Sequence, residues 1–87
     1  MPVRKVLVVD DSPTDLANIK SILSEAGCVT VTATNGKEAI EKAKAEKPDL
    51  IFMDIIMPDM DGYAACRSLG NESETKSIPV IFVTSKN

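Results

Sequence analysis

Short apolar runs alternate with segments of helical periodicity along the whole chain. Val6-Leu7-Val8-Val9 forms the centre of a first strand, Lys5–Asp10. Ser12-Pro13-Thr14-Asp15 then supplies a capping hydroxyl, a proline for the first turn and an acid at the third position. Leu16, Ile19, Leu23 and Ala26 recur on one face of the helix that follows, and Gly27 ends it. A second strand, Val29–Ala33, sets Val29, Val31 and Ala33 against Thr30 and Thr32. Asn35-Gly36-Lys37-Glu38 caps a second helix that turns Ala39, Ile40 and Ala43 inward and stops before Pro48. Leu50–Asp54 is the third strand, and residues 55–61 form a loop leading through Gly62 into a third helix over about Tyr63–Leu69. Gly70–Ser77 is polar and reads as a loop, and Pro79 opens a fourth strand built on Val80-Ile81-Phe82-Val83.

Strands alternating with helices predict an α/β fold with a parallel sheet and crossover helices. The first, third and fourth strands are apolar throughout, as in strands covered on both faces, whereas the second alternates and belongs at an edge. Right-handed crossovers then give the order 2-1-3-4, with one helix on one face of the sheet and two on the other. The chain reverses direction between strands one and three, and open α/β sheets bind ligands at such a switch point, beyond the carboxyl ends of the strands. This pattern leaves the fourth strand with an apolar outer edge and one face of strands three and four without a helix. An apolar open edge favours association. The pattern therefore predicts either a piece of a larger domain or a missing layer supplied by another chain. A core this small yields only about 3–5 kcal/mol, so a dimer, a swapped assembly or a marginal fold is expected.

Eighty-seven residues accommodate one core, and 44% hydrophobic content is that of a folded domain rather than a disordered one. The net charge of −3 is unfavourable for nucleic acid, and the lysines between Lys37 and Lys47 are interleaved with Glu38, Glu41 and Glu46 on a solvated helix face. No apolar run approaches the length of a membrane span, and Val6–Val9 is too short for a signal-peptide core, so the cytoplasm is the expected setting. Cys28 and Cys66 lack metal-ligand spacing and read as reduced thiols. The chain contains no histidine, which excludes Ser-His-Asp and Cys-His mechanisms.

The ends of the strands carry the chemistry. The first runs into Asp10-Asp11, the third ends in Asp54, and the fourth runs into Thr84-Ser85. In a parallel sheet these groups converge, and three carboxylates at one point repel unless a hard divalent cation lies between them. Asp10, Asp11 and Asp54 offer oxygen ligands of the kind magnesium takes, with water and a loop carbonyl to complete an octahedron. One carboxylate can then attack a phosphoryl group in line. Asp54 is the better nucleophile, because it stands alone at its strand end while Asp10 and Asp11 share the metal. Thr84 is placed to hydrogen-bond a phosphoryl oxygen. A single aspartate after a strand is ordinarily a turn or cap residue, and Asp11 alone would be read so. The joint convergence of three acids and a threonine favours the metal–phosphoryl reading.

Other features carry less. Met53, Met57 and Met60 suit core and loop packing. Asp59-Met60-Asp61-Gly62 lacks the terminal glutamate of a calcium loop. A haloacid-dehalogenase-type phosphohydrolase would need Asp-x-Asp on the first strand, where this chain has adjacent acids.

The stretches V-L-V-V-D-D-S-P, P-D-L-I-F-M-D-I-I-M-P-D-M-D-G and I-P-V-I-F-V-T-S resemble the receiver domain of bacterial two-component response regulators, the flavodoxin/CheY-like fold. By that resemblance Asp54 is the phosphoacceptor, Asp11 a direct magnesium ligand, Asp10 a ligand mainly through water, Ile56 a ligand through its carbonyl, and Thr84 the switch hydroxyl. Manganese is an alternative cation. The donor is a histidine kinase, a phosphotransfer protein or acetyl phosphate, and the downstream target is unspecified. The resemblance implies a phosphoacceptor with self-catalysed transfer and slow dephosphorylation rather than a turnover enzyme. D-D-S-P-T and the lack of an output domain are similar to single-domain regulators of type IV pilus twitching motility. Receivers continue through a fourth helix, a fifth strand ending in lysine and proline, and a fifth helix. On this reading residues 1–87 form one receiver domain without those elements, and Lys86 is not a positional match for that lysine. The alternative to a working phosphoacceptor is a phosphorylation-impaired receiver that binds proteins or itself through the open fourth-strand edge or the uncovered sheet face.

Overall fold

The computed structural model describes residues 4–54 and 62–83. Four strands, β1 (Lys5–Val9), β2 (Val29–Ala33), β3 (Leu50–Asp54) and β4 (Val80–Val83), form one parallel sheet in the order β2-β1-β3-β4. The connecting helices are α1 (Pro13–Glu25), α2 (Gly36–Glu46) and α3 (Gly62–Asn71). Val9 lies opposite both Ala33 and Met53, and Asp54 opposite Val83, so the carboxyl ends of all four strands meet along one rim.

Period-two alternation divides the core into two layers. Leu7, Val9, Ile51 and Met53 face Ala39 and Ala43 of α2 and Ala65 and Leu69 of α3, all fully buried. The small alanines let α2 approach the sheet closely. On the opposite face Val6 and Val8 pack against Leu16, with Ile19, Leu23, Cys28 and Phe52 around them. One helix covers this face and two cover the other, as the crossover rule predicts. The coverage is uneven: Ile81 is 47% exposed and Ile22 66% exposed, and Ile19, Ile22, Leu23 and Phe52 line an apolar cavity of about 220 Å³. Among the described residues nothing lies on the outer side of β4 in the sheet order.

Local chemistry sets the element ends. Asn35 Oδ1 accepts from the Glu38 N–H at 2.8 Å, and Glu38 Oε1 reaches back to the Thr34 N–H at 2.7 Å, fixing the start of α2. Lys47 closes α2 in the left-handed region at φ 49, directly before Pro48. Gly27 has φ 87, a conformation that glycine adopts without Cβ strain. Ala26 is the exposed C-cap of α1 rather than an inward residue, because the helix turns out toward Gly27 one position earlier than its apolar spacing implies. Helix α3 runs two residues past Leu69 to Asn71. The buried Thr75 hydroxyl donates to the Leu69 carbonyl at 2.6 Å, and Lys44 pairs with Glu72 at 3.0 Å, which ties this end to α2.

Two contacts fix the sheet at its amino rim and its β2 edge. Asp49 Oδ2 accepts from the Arg4 and Lys5 N–H groups at 3.0 Å each, while its own N–H donates to the Lys5 carbonyl at 2.8 Å. Those two N–H bonds hold the Asp49 carboxyl below its ordinary pKa. At the other edge Lys42 Nζ donates to the Thr32 carbonyl at 3.0 Å, occupying an acceptor of edge strand β2.

Thr30 Oγ1 is buried without a hydrogen-bond partner among the described residues. A buried hydroxyl lacking a partner costs on the order of 1 kcal/mol, so the isosteric Thr30→Val should be stabilising. Urea denaturation should show a higher midpoint with an unchanged slope, and a lower midpoint would show that the hydroxyl is satisfied.

Candidate metal and phosphoryl site

The site is assembled by strand ends. After β1 the ladder continues for one more bond, with the Asp10 N–H donating to the Ala33 carbonyl at 3.0 Å. This keeps Asp10 in register with the rim. Its Oδ1 accepts the Ser12 N–H at 2.9 Å, the arrangement in which an aspartate closes a turn on the residue two places ahead. Asp54 ends β3 on the neighbouring strand. Asp10 and Asp54 are 3% and 2% exposed, whereas Asp11 faces solvent. One carboxylate oxygen from each of the three lies within 4.8 Å of the other two.

Three acids this close, two of them buried, are electrostatically costly. Asp10 is pushed up from 3.8 to about 6, first by burial and then by the negative charges of Asp54 and Asp15. The Ser12 N–H opposes that rise, and a hydrogen bond between the Asp10 and Asp54 side chains adds to it. A bond between two carboxyl groups requires a proton on one of them. Asp10 therefore holds its proton above the ordinary carboxylate range.

The structure brings together Asp10, Asp11 and Asp54, as the sequence predicts. Thr84 and the Ile56 carbonyl, together with Lys86, Met57, Met60 and the Asp59–Gly62 turn's first three residues, lie outside the described residues. Sequence reasoning missed the Ser12 N–H as a partner of Asp10, although Asp-x-Ser ahead of a proline is a turn signal that points to it.

Residues 6–87 match the response regulator receiver domain family, and the chain belongs to it. It is 42% identical over 83 residues to Protein PilH of Pseudomonas aeruginosa, covering 95% of this chain and 69% of that protein. It is also 42% identical to Protein PilG of the same organism, covering 95% of this chain and 62% of PilG. The N-terminal domain of a response regulator receiver protein from Methanoculleus marisnigri superposes with a TM-score of 0.92 at 35% identity, covering 98% of this chain and 69% of that one. The receiver domain of the sensor histidine kinase PA1611 from P. aeruginosa superposes with a TM-score of 0.90 at 27% identity, covering 98% and 70%. That structure has a magnesium ion coordinated in its active-site cleft. The fold is thus the CheY-like receiver fold with the predicted strand order. Among the described residues no helix is long and apolar enough to cross a membrane.

The raised Asp10 pKa has a signed consequence. The folded protein binds this proton more tightly than the unfolded chain, so the cation-free protein loses stability as pH rises from about 4 through about 6. The loss is about 3 kcal/mol and complete above that window. In chelator, the thermal midpoint should be higher at pH 5 than at pH 7.5, and Asp10→Asn should flatten the difference. An Asp10→Asn variant that keeps the full pH dependence would place its origin elsewhere.

Proposed function

We propose that this chain is the phosphoacceptor of a two-component pathway, taking a phosphoryl group from a histidine kinase or phosphotransfer protein onto Asp54. The observation that carries this reading is the convergence of Asp10, Asp11 and Asp54 at the switch point of the sheet. The donor set consists of hard carboxylate oxygens, two of them buried and one of these, Asp10, with its pKa raised by that burial, and this fits a small divalent cation. Asp10, Asp11 and Asp54 would hold magnesium or manganese, with the Ile56 carbonyl as the family resemblance implies. When bound, the cation supplies positive charge against the equatorial phosphoryl oxygens.

The chain's own residues do the rest. An Asp54 carboxylate oxygen attacks phosphorus in line. The new O–P bond forms as the P–N bond to the donor imidazole breaks, and the electron pair stays on the ring nitrogen. Asp10, fixed through Oδ1 by the Ser12 N–H, keeps its carboxyl on the rim beside Asp54. By the family resemblance, Thr84 would then hydrogen-bond the transferred group. Transfer is self-catalysed and followed by slow hydrolysis, which makes the chain a phosphoacceptor rather than a turnover enzyme. Similarity to PilH and PilG supports a place among regulators of type IV pilus motility, acting in the cytoplasm.

Acetyl phosphate with magnesium should give a single phosphoryl adduct by intact mass, lost with chelator and in Asp54→Asn. No adduct on the folded protein, or an undiminished adduct in Asp54→Asn, would contradict the assignment.

A second reading is favoured by the exposed Ile22 and Ile81 beside the apolar cavity under α1. Here the chain self-associates through the uncovered face or the β4 edge, independently of phosphorylation. Sedimentation should show mass increasing with concentration, and Ile22→Glu should shift it toward monomer. A concentration-independent monomer would remove this reading.

A further inference from the structure

Ser12 makes three hydrogen bonds that point in two directions. Its N–H donates to Asp10 Oδ1 at 2.9 Å, inside the acid cluster. Its Oγ accepts the Asp15 N–H at 3.4 Å, and its carbonyl accepts the Leu16 N–H at 3.0 Å, which together begin α1. Pro13 follows at the first helical position, where its fixed φ suits the helix and its missing N–H is not needed. The residue is half-buried and extended, at φ −96 and ψ 115, so these contacts share one backbone conformation. If Ser12 rotates out of that conformation, the cap and the Asp10 bond are lost together.

We infer that Ser12 is a positioning residue that couples the cation site to the amino-terminal turn of α1. The inference rests on the cation reading above and adds a residue that contacts no metal. A cation engaging Asp10 and Asp11 selects the arrangement in which the Ser12 N–H holds Oδ1. The same arrangement presents Oγ to Asp15, so binding orders the first turn of α1. By linkage, the factor by which the cation favours the ordered turn is the factor by which the ordered turn favours the cation. Helix α1 carries Leu16 into the core and Ile19, Ile22 and Leu23 along the apolar cavity. The first residues to feel occupancy of the acid cluster are therefore on the helix flanking that cavity.

Amide exchange read by NMR tests this, with magnesium as the ligand. Resonances near Asp10, Asp11 and Asp54 report binding, while exchange at Asp15 and Leu16 reports the helix turn. Magnesium should shift the first set and slow exchange at the second. Ser12→Ala keeps the N–H but removes the cap, and should weaken magnesium binding about two- to fivefold, the scale of a lost N-cap. Ser12→Thr should restore both. Asp49→Ala, at the opposite rim of the sheet, is the control for lost stability and should leave the magnesium midpoint in place. If the site resonances shift while Asp15 and Leu16 exchange unchanged, the coupling is overturned and the cation site stands. If no resonance responds to magnesium, both fall. A Ser12→Ala variant that is folded and binds with the wild-type midpoint also overturns the coupling. If that variant does not fold, the wild-type exchange with and without magnesium decides the matter alone.

Discussion

Mutual repulsion of carboxylates at the carboxyl rim is the constraint around which this structure is arranged. Parallel pairing in the order β2-β1-β3-β4 forces the residues that follow β1 and end β3 into one small volume. Aspartates there cannot move apart without breaking the register that buries Leu7, Val9, Ile51 and Met53. The strain is expressed as protonation: burial and the neighbouring charges of Asp54 and Asp15 raise Asp10 to about 6. A site that holds a proton for want of positive charge is ready to exchange it for a metal ion. The same packing that stabilises the fold therefore prepares the chemistry.

The scaffold supports this at both rims. Asp49 binds the amino ends of β1 and β3 to each other through three hydrogen bonds. At the carboxyl rim the corresponding role falls to Ser12, which satisfies one oxygen of Asp10 and also starts α1. The uneven covering of the sheet, with Phe52 half-buried and Ile81 exposed, leaves an apolar surface on the α1 side.

Much of this was legible in the chain because the periodicities are unambiguous. Uniformly apolar strands against one alternating strand gave the sheet order, and acids at two strand ends gave the site. The features that escaped sequence reading depend on tertiary contacts rather than on pattern. Helix α3 continues through Gly70 to Asn71 because Thr75 and Glu72 secure its end from outside. Ala26 fits the apolar spacing of α1 but sits where the backbone already turns toward Gly27. The Asp49 clamp is invisible until β1 and β3 are placed side by side. The Ser12 contact was latent in the turn chemistry of Asp-x-Ser-Pro, obscured by the evident capping role of the same residue.

On the reading proposed above, the three rim carboxylates form one divalent-cation site. A titration with manganese at pH 7, followed by the loss of its free-ion electron paramagnetic resonance signal, tests it most directly. A single saturable site per chain is expected, displaced by excess magnesium and abolished in Asp11→Asn. Absence of binding to the folded wild-type chain, or binding undiminished in Asp11→Asn, would contradict it.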